Sequence, residues 1–289
     1  MRYRLVHQER RWYPIELLCR VARVSRAGYY SWLRGRGRQR EHADVVLLKD
    51  IRRIHADSDQ NYGSPRVYRE LRIEGKTCCK ARVERLMRDN EIRSVHKRKY
   101  KVTTMSKHNH PVAPNVLAGR FVWERPNQAW VGDITYVPTD EGWLYLAVLL
   151  DLCSRRIVGW AMDKRINRHL TLRALHMAAQ RRRPPKGLIH HTDQGSQYAS
   201  GDYQDAVKAY GMIGSMSAKG RCYDNAVAES FFHSLKVELV HRYRFASREQ
   251  AMSAIFKYME AFYNTKRLHS TLDYVSPVAY EQIMLLKAA

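Results

Sequence analysis

Three apolar, β-rich runs lie almost end to end in this chain, at residues 130–137, 143–151 and 157–162. Connections as short as 138–142 and 154–156 predict antiparallel hairpins, so the runs should form three adjacent strands. Downstream the pattern alternates. Leu170, Leu172, Leu175 and Ala178 mark a helix over about 170–181, and 187–191 reads as a fourth strand. Residues 200–210 read as a helix, 212–216 as a fifth strand and 224–240 as a long helix. That order predicts an α/β fold: a mixed five-stranded sheet with flanking helices. A further helix over 247–263 precedes a tail that reads as basic and polar.

Ahead of the sheet the chain reads as helical. Ser25 can cap a short helix that runs to Trp32, and residues 34–38 (RGRGR) read as a basic linker. Val45, Leu48, Ile51 and Ile54 step at helical spacing over 43–56. Ser64-Pro65 starts another helix, Gly75 closes it, and Thr77 offers to cap a third over 78–89. In that third helix Val83, Leu86 and Met87 face inward, leaving Lys80, Arg82, Arg85 and Arg88 outside. Two short helices about a glycine turn, the second basic, suit a DNA groove or its phosphates. An ordinary helical hairpin with solvated arginines is the alternative. Lys97, Arg98 and Lys99 lie in a basic arm suited to tracking a phosphate backbone, and Pro111 and Pro114 mark a linker. The expected organisation is a helical segment over 1–38, then a basic helix-turn-helix-type DNA-binding region with its arm over 39–108. A linker over 109–120, a catalytic core over 121–242 and a C-terminal helix and tail over 243–289 follow.

The charge agrees with that division. The chain carries 51 Lys and Arg against 28 Asp and Glu, a net +23. Residues 1–120 hold 29 basic and 12 acidic side chains, so +17 of the total lies there. A polyanionic partner is expected, with nucleic acid first; solubility is the plainer alternative. No apolar run reaches the roughly 18 residues of a membrane span. Five cysteines with no CxxC pair argue against a disulfide framework and for a reducing setting, so no membrane and a cytoplasmic, nucleoid-associated location are expected.

Three acids stand out by position. Asp133 lies inside the first strand, where a carboxylate is costly unless paired or metal-bound. Asp193 ends the fourth strand, and strand ends of α/β sheets gather ligands. Glu229 lies on the helix that follows Asp224, with Asn225 and Lys236 within about 40° of it around the axis. Lys236 is therefore placed to hold a phosphate. Three carboxylates meeting at one end of a sheet can hold two divalent ions, Mg²⁺ or Mn²⁺, and so cut and join phosphodiesters. Taken singly, each has a plainer reading: Asp133 as a satisfied sheet acid, Asp193 as a helix cap. His190 and His191 read as strand-end packing or substrate contacts ahead of metal ligands, because hard cations prefer oxygen. Asp151 and Asp163 read as structural, and Trp130, Trp143 and Trp160 as core. Arg267 and His269 either touch DNA or fix the last helix.

Across almost its whole length the chain resembles the second-frame (OrfB) transposases of IS-three-type insertion sequences. The resemblance rests on residues 25–32 (SRAGYYSW), Tyr62-Gly63, Trp130-x-x-Asp133-Ile134-Thr135-Tyr136, Asp151, 154–156 (SRR) and Gly159-Trp160. It continues through 191–198 (HTDQGSQY), Asp224-Asn225-x-x-x-Glu229-Ser230, Leu235-Lys236, and Tyr263-Asn264 with Arg267, His269, Ser270 and Leu272. Thirty-five residues separate Asp193 from Glu229, the family's DD(35)E spacing. The resemblance implies an RNase-H-like fold, with Asp133, Asp193 and Glu229 as metal ligands and Lys236 near the DNA. It also implies Mg²⁺-dependent nicking and 3′-hydroxyl strand transfer on double-stranded DNA, at terminal inverted repeats and at a target. A homodimer or larger assembly on DNA, and an upstream-frame OrfA partner or fusion, are further expectations. The chain departs from many relatives at Gln194, where they carry a basic residue, and it has no sustained heptads. The alternative function is a non-catalytic DNA-binding subunit or regulator of transposition that needs that partner.

Overall fold

The computed structural model describes residues 2–95, 113–217 and 225–288. The chain divides into two compact units, Met1–Ser94 and Val95–Ala289.

In the first unit, α1 (Arg2–Glu9), α2 (Ile15–Val21) and α3 (Arg26–Leu33) close around buried Val6, Cys19 and Tyr29. Ser25 caps α3, its Oγ accepting from the Gly28 N–H at 3.0 Å. The 34–38 stretch is not the linker expected. Gly35 makes the turn in the left-handed region (φ 69°), and α4 (Arg36–Asp57) begins at the next residue. Next come α5 (Ser64–Ile73) and α6 (Lys80–Asp89), which with α4 bury Ile51, Ile54, Val67, Leu71, Val83, Leu86 and Met87. Ion pairs stitch their outer surfaces: Arg53–Glu74 at 2.6 Å, Lys76–Asp50 at 3.0 Å, and both Arg82 and Arg85 to Asp44 at 2.6 Å.

In the second unit, β1 (Ala129–Thr139), β2 (Gly142–Asp151) and β3 (Ile157–Asp163) form the expected antiparallel meander. The parallel strands β4 (Ile189–Thr192) and β5 (Ile213–Met216) extend it on the β1 side, giving the order β3-β2-β1-β4-β5. Both faces are covered, which explains why β2 reads as an unbroken apolar run. Its even-numbered Leu146, Val148 and Leu150 meet α9 (Ala226–Leu235) and α10 (Arg248–Phe256) on one face. Ala147 and Leu149 meet α7 (Arg168–Arg182) and α8 (Gly201–Ala209) on the other. Phe245, Ile255, Tyr258 and Tyr263, from beyond residue 242, enter the same core as β1 and β2. Of the three tryptophans expected in the core, Trp130 is fully buried and Trp160 packs at the core's margin. Trp143 is not: it stands half-exposed at the start of β2, where its carbonyl accepts from Arg248 Nε at the start of α10 at 3.0 Å.

The tail after residue 263 also differs from expectation. It folds into a 3₁₀ turn (Ser270–Leu272) and α11 (Pro277–Ala288). This helix is anchored by charge, and an apolar pattern therefore does not reveal it. Buried Glu281 accepts from Arg156 Nη1 at 2.6 Å, Arg182 Nη1 and Nη2 at 2.9 and 2.8 Å, and Ser154 Oγ at 2.8 Å. Burial opposes its ionisation, but the hydrogen bonds and charge of Arg182 outweigh that and hold its carboxyl below the usual range.

Two stability predictions follow from this packing. A Cβ at Gly159 would run into the Ala174 carbonyl and Ala178 of α7, so Gly159→Ala should cost about 1–3 kcal/mol in urea unfolding. The depressed Glu281 pKa means that its stabilisation is complete above the unfolded value of about 4.3 and is lost as pH falls through the folded one. The stability gap between wild type and Glu281→Gln should therefore be constant near neutrality and close below about pH 4.

Candidate active site

Backbone register builds the centre of the site. Gly132 and Thr192 are parallel partners on β1 and β4, and Asp133 and Asp193 are the next residues on each strand. Neighbouring strands run about 4.8 Å apart, so the two carboxylates leave the sheet side by side. By alternation Asp133 shares a face with Val131 and Val137, the face that α9 covers. Glu229 and Lys236 come from that helix and its continuation.

The electrostatics follow. Burial pushes the Asp133 carboxyl well above the usual carboxylate range, and the charge of Asp193 adds to the rise. The Ile134 N–H, donating to Asp133 Oδ1 at 2.7 Å, pulls it back; Glu229 pushes up and Lys236 pulls down more weakly. Burial raises Glu229 and lowers Lys236, whose charge Asp133 partly restores. Asp193 Oδ1 accepts from the Gly195 N–H at 2.9 Å, which fixes the turn after β4. The Tyr198 phenol is buried within electrostatic reach of Asp133 and Asp193, and its hydroxyl has no hydrogen-bond partner among the described residues. Asn225 opens α9 with its side chain buried and its Oδ1 also without a partner among the described residues.

A carboxylate such as Asp133, which burial and the neighbouring Asp193 charge drive toward protonation, suits a hard divalent cation, which would reverse both penalties. Among the described residues, no group of three His, Cys, Asp or Glu side chains is gathered closely enough to hold a metal ion. The charge of Asp193 and, more weakly, that of Glu229 are felt at Asp133.

The histidines beside Asp193 are packing residues. His190 Nε2 meets Tyr203 Oη at 2.7 Å, and burial lowers the pKa of His190 to about 3. His191 lies between Ser215 Oγ (2.9 Å) and Ser217 Oγ (3.2 Å). Gln194 donates to the Ser217 carbonyl at 2.8 Å. Asp151 is structural. It accepts from the backbone N–H groups of Asn127, Cys153 and Ser154 and from Trp130 Nε1, at 2.6–3.2 Å. Asp163 pairs with Arg173 at 2.5 Å.

The residues expected to touch DNA divide. Lys236 is half-buried within electrostatic reach of Asp133, its ammonium 5.1 Å from the centre of the Tyr136 ring. Lys80 is exposed at the start of α6, 3.6 Å from Glu84. Arg82 and Arg85 are engaged by Asp44. Lys97, Arg98 and Lys99, like Asp224 and Cys222, lie outside the described residues. Arg267 and His269 are buried, 6% and 7% exposed, and do not present themselves to a phosphate. Arg267 Nη2 donates to Glu238 Oε1 at 2.6 Å and its Nε to Glu238 Oε2 at 2.9 Å; Tyr258 Oη adds a third donor to that carboxylate at 2.7 Å. His269 packs edge-on against Tyr263. Both fix the C-terminal helices, and the helical periodicity that placed Glu229 held no signal for this contact.

Glu238 lies in a one-turn π-helix, Lys236–Val240, that continues α9. The wider turn rotates the chain just where Lys236 leaves it, and Arg267 clamps it in place. The sequence contains no local sign of that switch. Tyr198 and Tyr136 were legible only as parts of longer motifs, without a role.

Comparison with known proteins accords with this architecture. Integrase core domain families match residues 124–222 and 229–285, and an HTH-like domain family matches residues 41–100. The transposase InsF of insertion sequence IS3A from Escherichia coli strain K12 is 44% identical over 287 residues, 97% of this chain and 98% of that one. The uncharacterized 31 kDa protein of insertion element IS600 from Shigella sonnei is 45% identical over 265 residues, 92% of this chain and 97% of that one. Among solved structures, the catalytic core domain of HTLV-2 integrase in complex with magnesium has 18% identity and a TM-score of 0.42, covering 54% of this chain and 97% of that one. The mixed sheet and the matched families define a transposase with an integrase catalytic core and an HTH-like region. The chain belongs to the IS3 family of insertion-sequence transposases. Among the described residues, no helix is long and apolar enough to cross a membrane.

Removing one side of a buried ion pair strands the other. Arg267→Ala should therefore lower stability by about 3–5 kcal/mol in urea unfolding. Below its melting temperature the same variant should bind DNA like wild type in a filter assay, because the guanidinium serves Glu238.

Proposed function

We propose that Asp133, Asp193 and Glu229 hold divalent ions, Mg²⁺ or Mn²⁺, and that the chain nicks DNA at the ends of its element and transfers the resulting 3′-hydroxyl to a target. The observation that carries this reading is the register of β1 and β4, which sets Asp133 and Asp193 together in a half-buried site where their charges repel. When bound, two such ions supply activation of a water or a 3′-hydroxyl and stabilisation of the leaving oxygen.

The chain's own residues bind and orient. Asp133 and Asp193 offer oxygen ligands from the rigid sheet, and Glu229 approaches from α9, whose seat on the sheet Phe231 and Leu235 fix. Lys236 holds a phosphate next to the reacting one, with the Asp133 charge offsetting part of the burial that lowers its pKa. Asn225 contributes its buried amide at the start of α9, near the DNA. Residues 39–108 anchor the duplex through the basic surface of α6 and the arm carrying Lys97, Arg98 and Lys99, and residues 121–242 carry the chemistry. Lys80 fits a phosphate contact better than Arg82 or Arg85, which Asp44 already engages. Assembly as a homodimer or larger complex on DNA, with an upstream-frame OrfA partner or fusion, completes this reading.

The test uses purified chain and labelled duplex ending in the element's own terminal repeat. With Mg²⁺ or Mn²⁺, wild type should nick and join. Asp133→Ala, Asp193→Ala and Glu229→Ala should each lose at least about 100-fold in rate while binding DNA within a few-fold of wild type. Full activity in any of the three would remove that residue from the site. Binding without nicking by wild type, restored by the upstream-frame protein, would assign this chain the role of a partner-dependent subunit.

A further inference from the structure

Farther along β1 from the acidic pair stand two large, exposed aromatic side chains. Tyr136 lies three residues beyond Asp133, about 10 Å along the strand and by alternation on the other face of the sheet, and is 46% exposed. Lys236, from the helix on the Asp133 face, reaches it past the edge left open where β4 stops. Trp143, the diagonal neighbour of Tyr136 at the start of β2, is 49% exposed. Their rings meet edge-to-face, with centroids 4.9 Å apart and planes at 80°. That arrangement leaves at least one aromatic face uncovered. Single exposed aromatics need no explanation, but this is a contiguous pair, and it has a cation. The Lys236 ammonium sits 5.1 Å from the centre of the Tyr136 ring while its charge is felt at Asp133. Aromatic rings flanked by a lysine are the materials of a single-stranded nucleic-acid site, where a base stacks and its phosphate meets the cation.

We propose that Tyr136 and Trp143 form a stacking platform for an unpaired nucleobase next to the scissile phosphate, with Lys236 on the adjoining phosphate. The inference rests on the reading that DNA is processed at Asp133 and Asp193. It adds that the end of the duplex opens there and that the released base is caught on this surface. Unpairing costs free energy, and stacking on the two rings offsets part of it, so ends that open readily should be processed first. Contact with a π-face is tolerant of base identity, so the platform should impose little sequence preference.

Equilibrium binding without a divalent ion tests the platform apart from the chemistry. Two versions of the same element end are compared by fluorescence anisotropy, one fully paired and one with its last few nucleotides unpaired. Wild type should prefer the unpaired end, and Trp143 emission, isolated by difference against Trp143→Phe, should be quenched on binding. Tyr136→Ala and Trp143→Ala should bind the unpaired end about 5- to 150-fold more weakly and the paired end nearly as before. Tyr136→Phe and Trp143→Phe, which keep a ring, should retain most of the preference, and they decide the matter should an alanine variant fail to fold. Equal binding of both ends by wild type, or alanine variants that bind the unpaired end like wild type, would overturn the platform. Nicking is then assayed with Asp133→Asn. Its loss alongside an unaffected preference leaves the active-site reading standing without the platform, and its survival removes the active-site reading.

Discussion

The parallel pairing of β1 with β4 is the constraint on which the rest of the catalytic unit depends. It brings residues sixty positions apart into register, and the register places two aspartates on neighbouring strands with no freedom to separate. A sheet tolerates such a pair only at its edge or end, where a cation or solvent can answer the charge. Here β4 stops at Thr192 while β1 runs on to Thr139, so the pair sits where the sheet narrows. The helices then have fixed tasks. Those on one face bury Trp130 and Leu149, and α9 on the other delivers Glu229 and Lys236.

A second constraint works at a distance from the acids. Glu238 is buried in the π-turn after α9, and Arg267 and Tyr258 satisfy it. Short π-helical turns cost backbone geometry and persist where surrounding contacts over-determine them. The C-terminal helices therefore hold the segment that aims Lys236. The Glu281 network does similar work for the turn between β2 and β3, joining α11 to Ser154, Arg156 and Arg182. Both are charged clamps in partly dry surroundings, where breaking one partner costs more than the pair contributes.

The strands and the principal helices were legible because each leaves a local pattern, and the adjacency of Asp133 and Asp193 follows from the strands that carry them. Alternation and unbroken apolar runs marked β1 to β3, and helical spacing marked α4, α7 and α9. What escaped has no such pattern. The RGRGR stretch looks like a linker by composition, yet one glycine suffices for the turn and the remainder continues as α4. The last helix is held by Glu281 rather than by an apolar stripe. Arg267 and His269 look like surface DNA contacts in a basic chain, and only packing reveals that Glu238 and Tyr263 claim them. Trp143 looks like core in an apolar run, but it opens β2 and stays half-exposed.

By itself, then, the sequence determined the class of fold and the family and singled out three candidate acids, because hydrophobic period and motif spacing are properties of the chain read in order. Tertiary structure decided which acids are neighbours, which arginines remain for solvent and which aromatics stay uncovered. Those are outcomes of burial and pairing between segments far apart in the chain, and a side chain's partner, unlike its period, is set only when the segments meet.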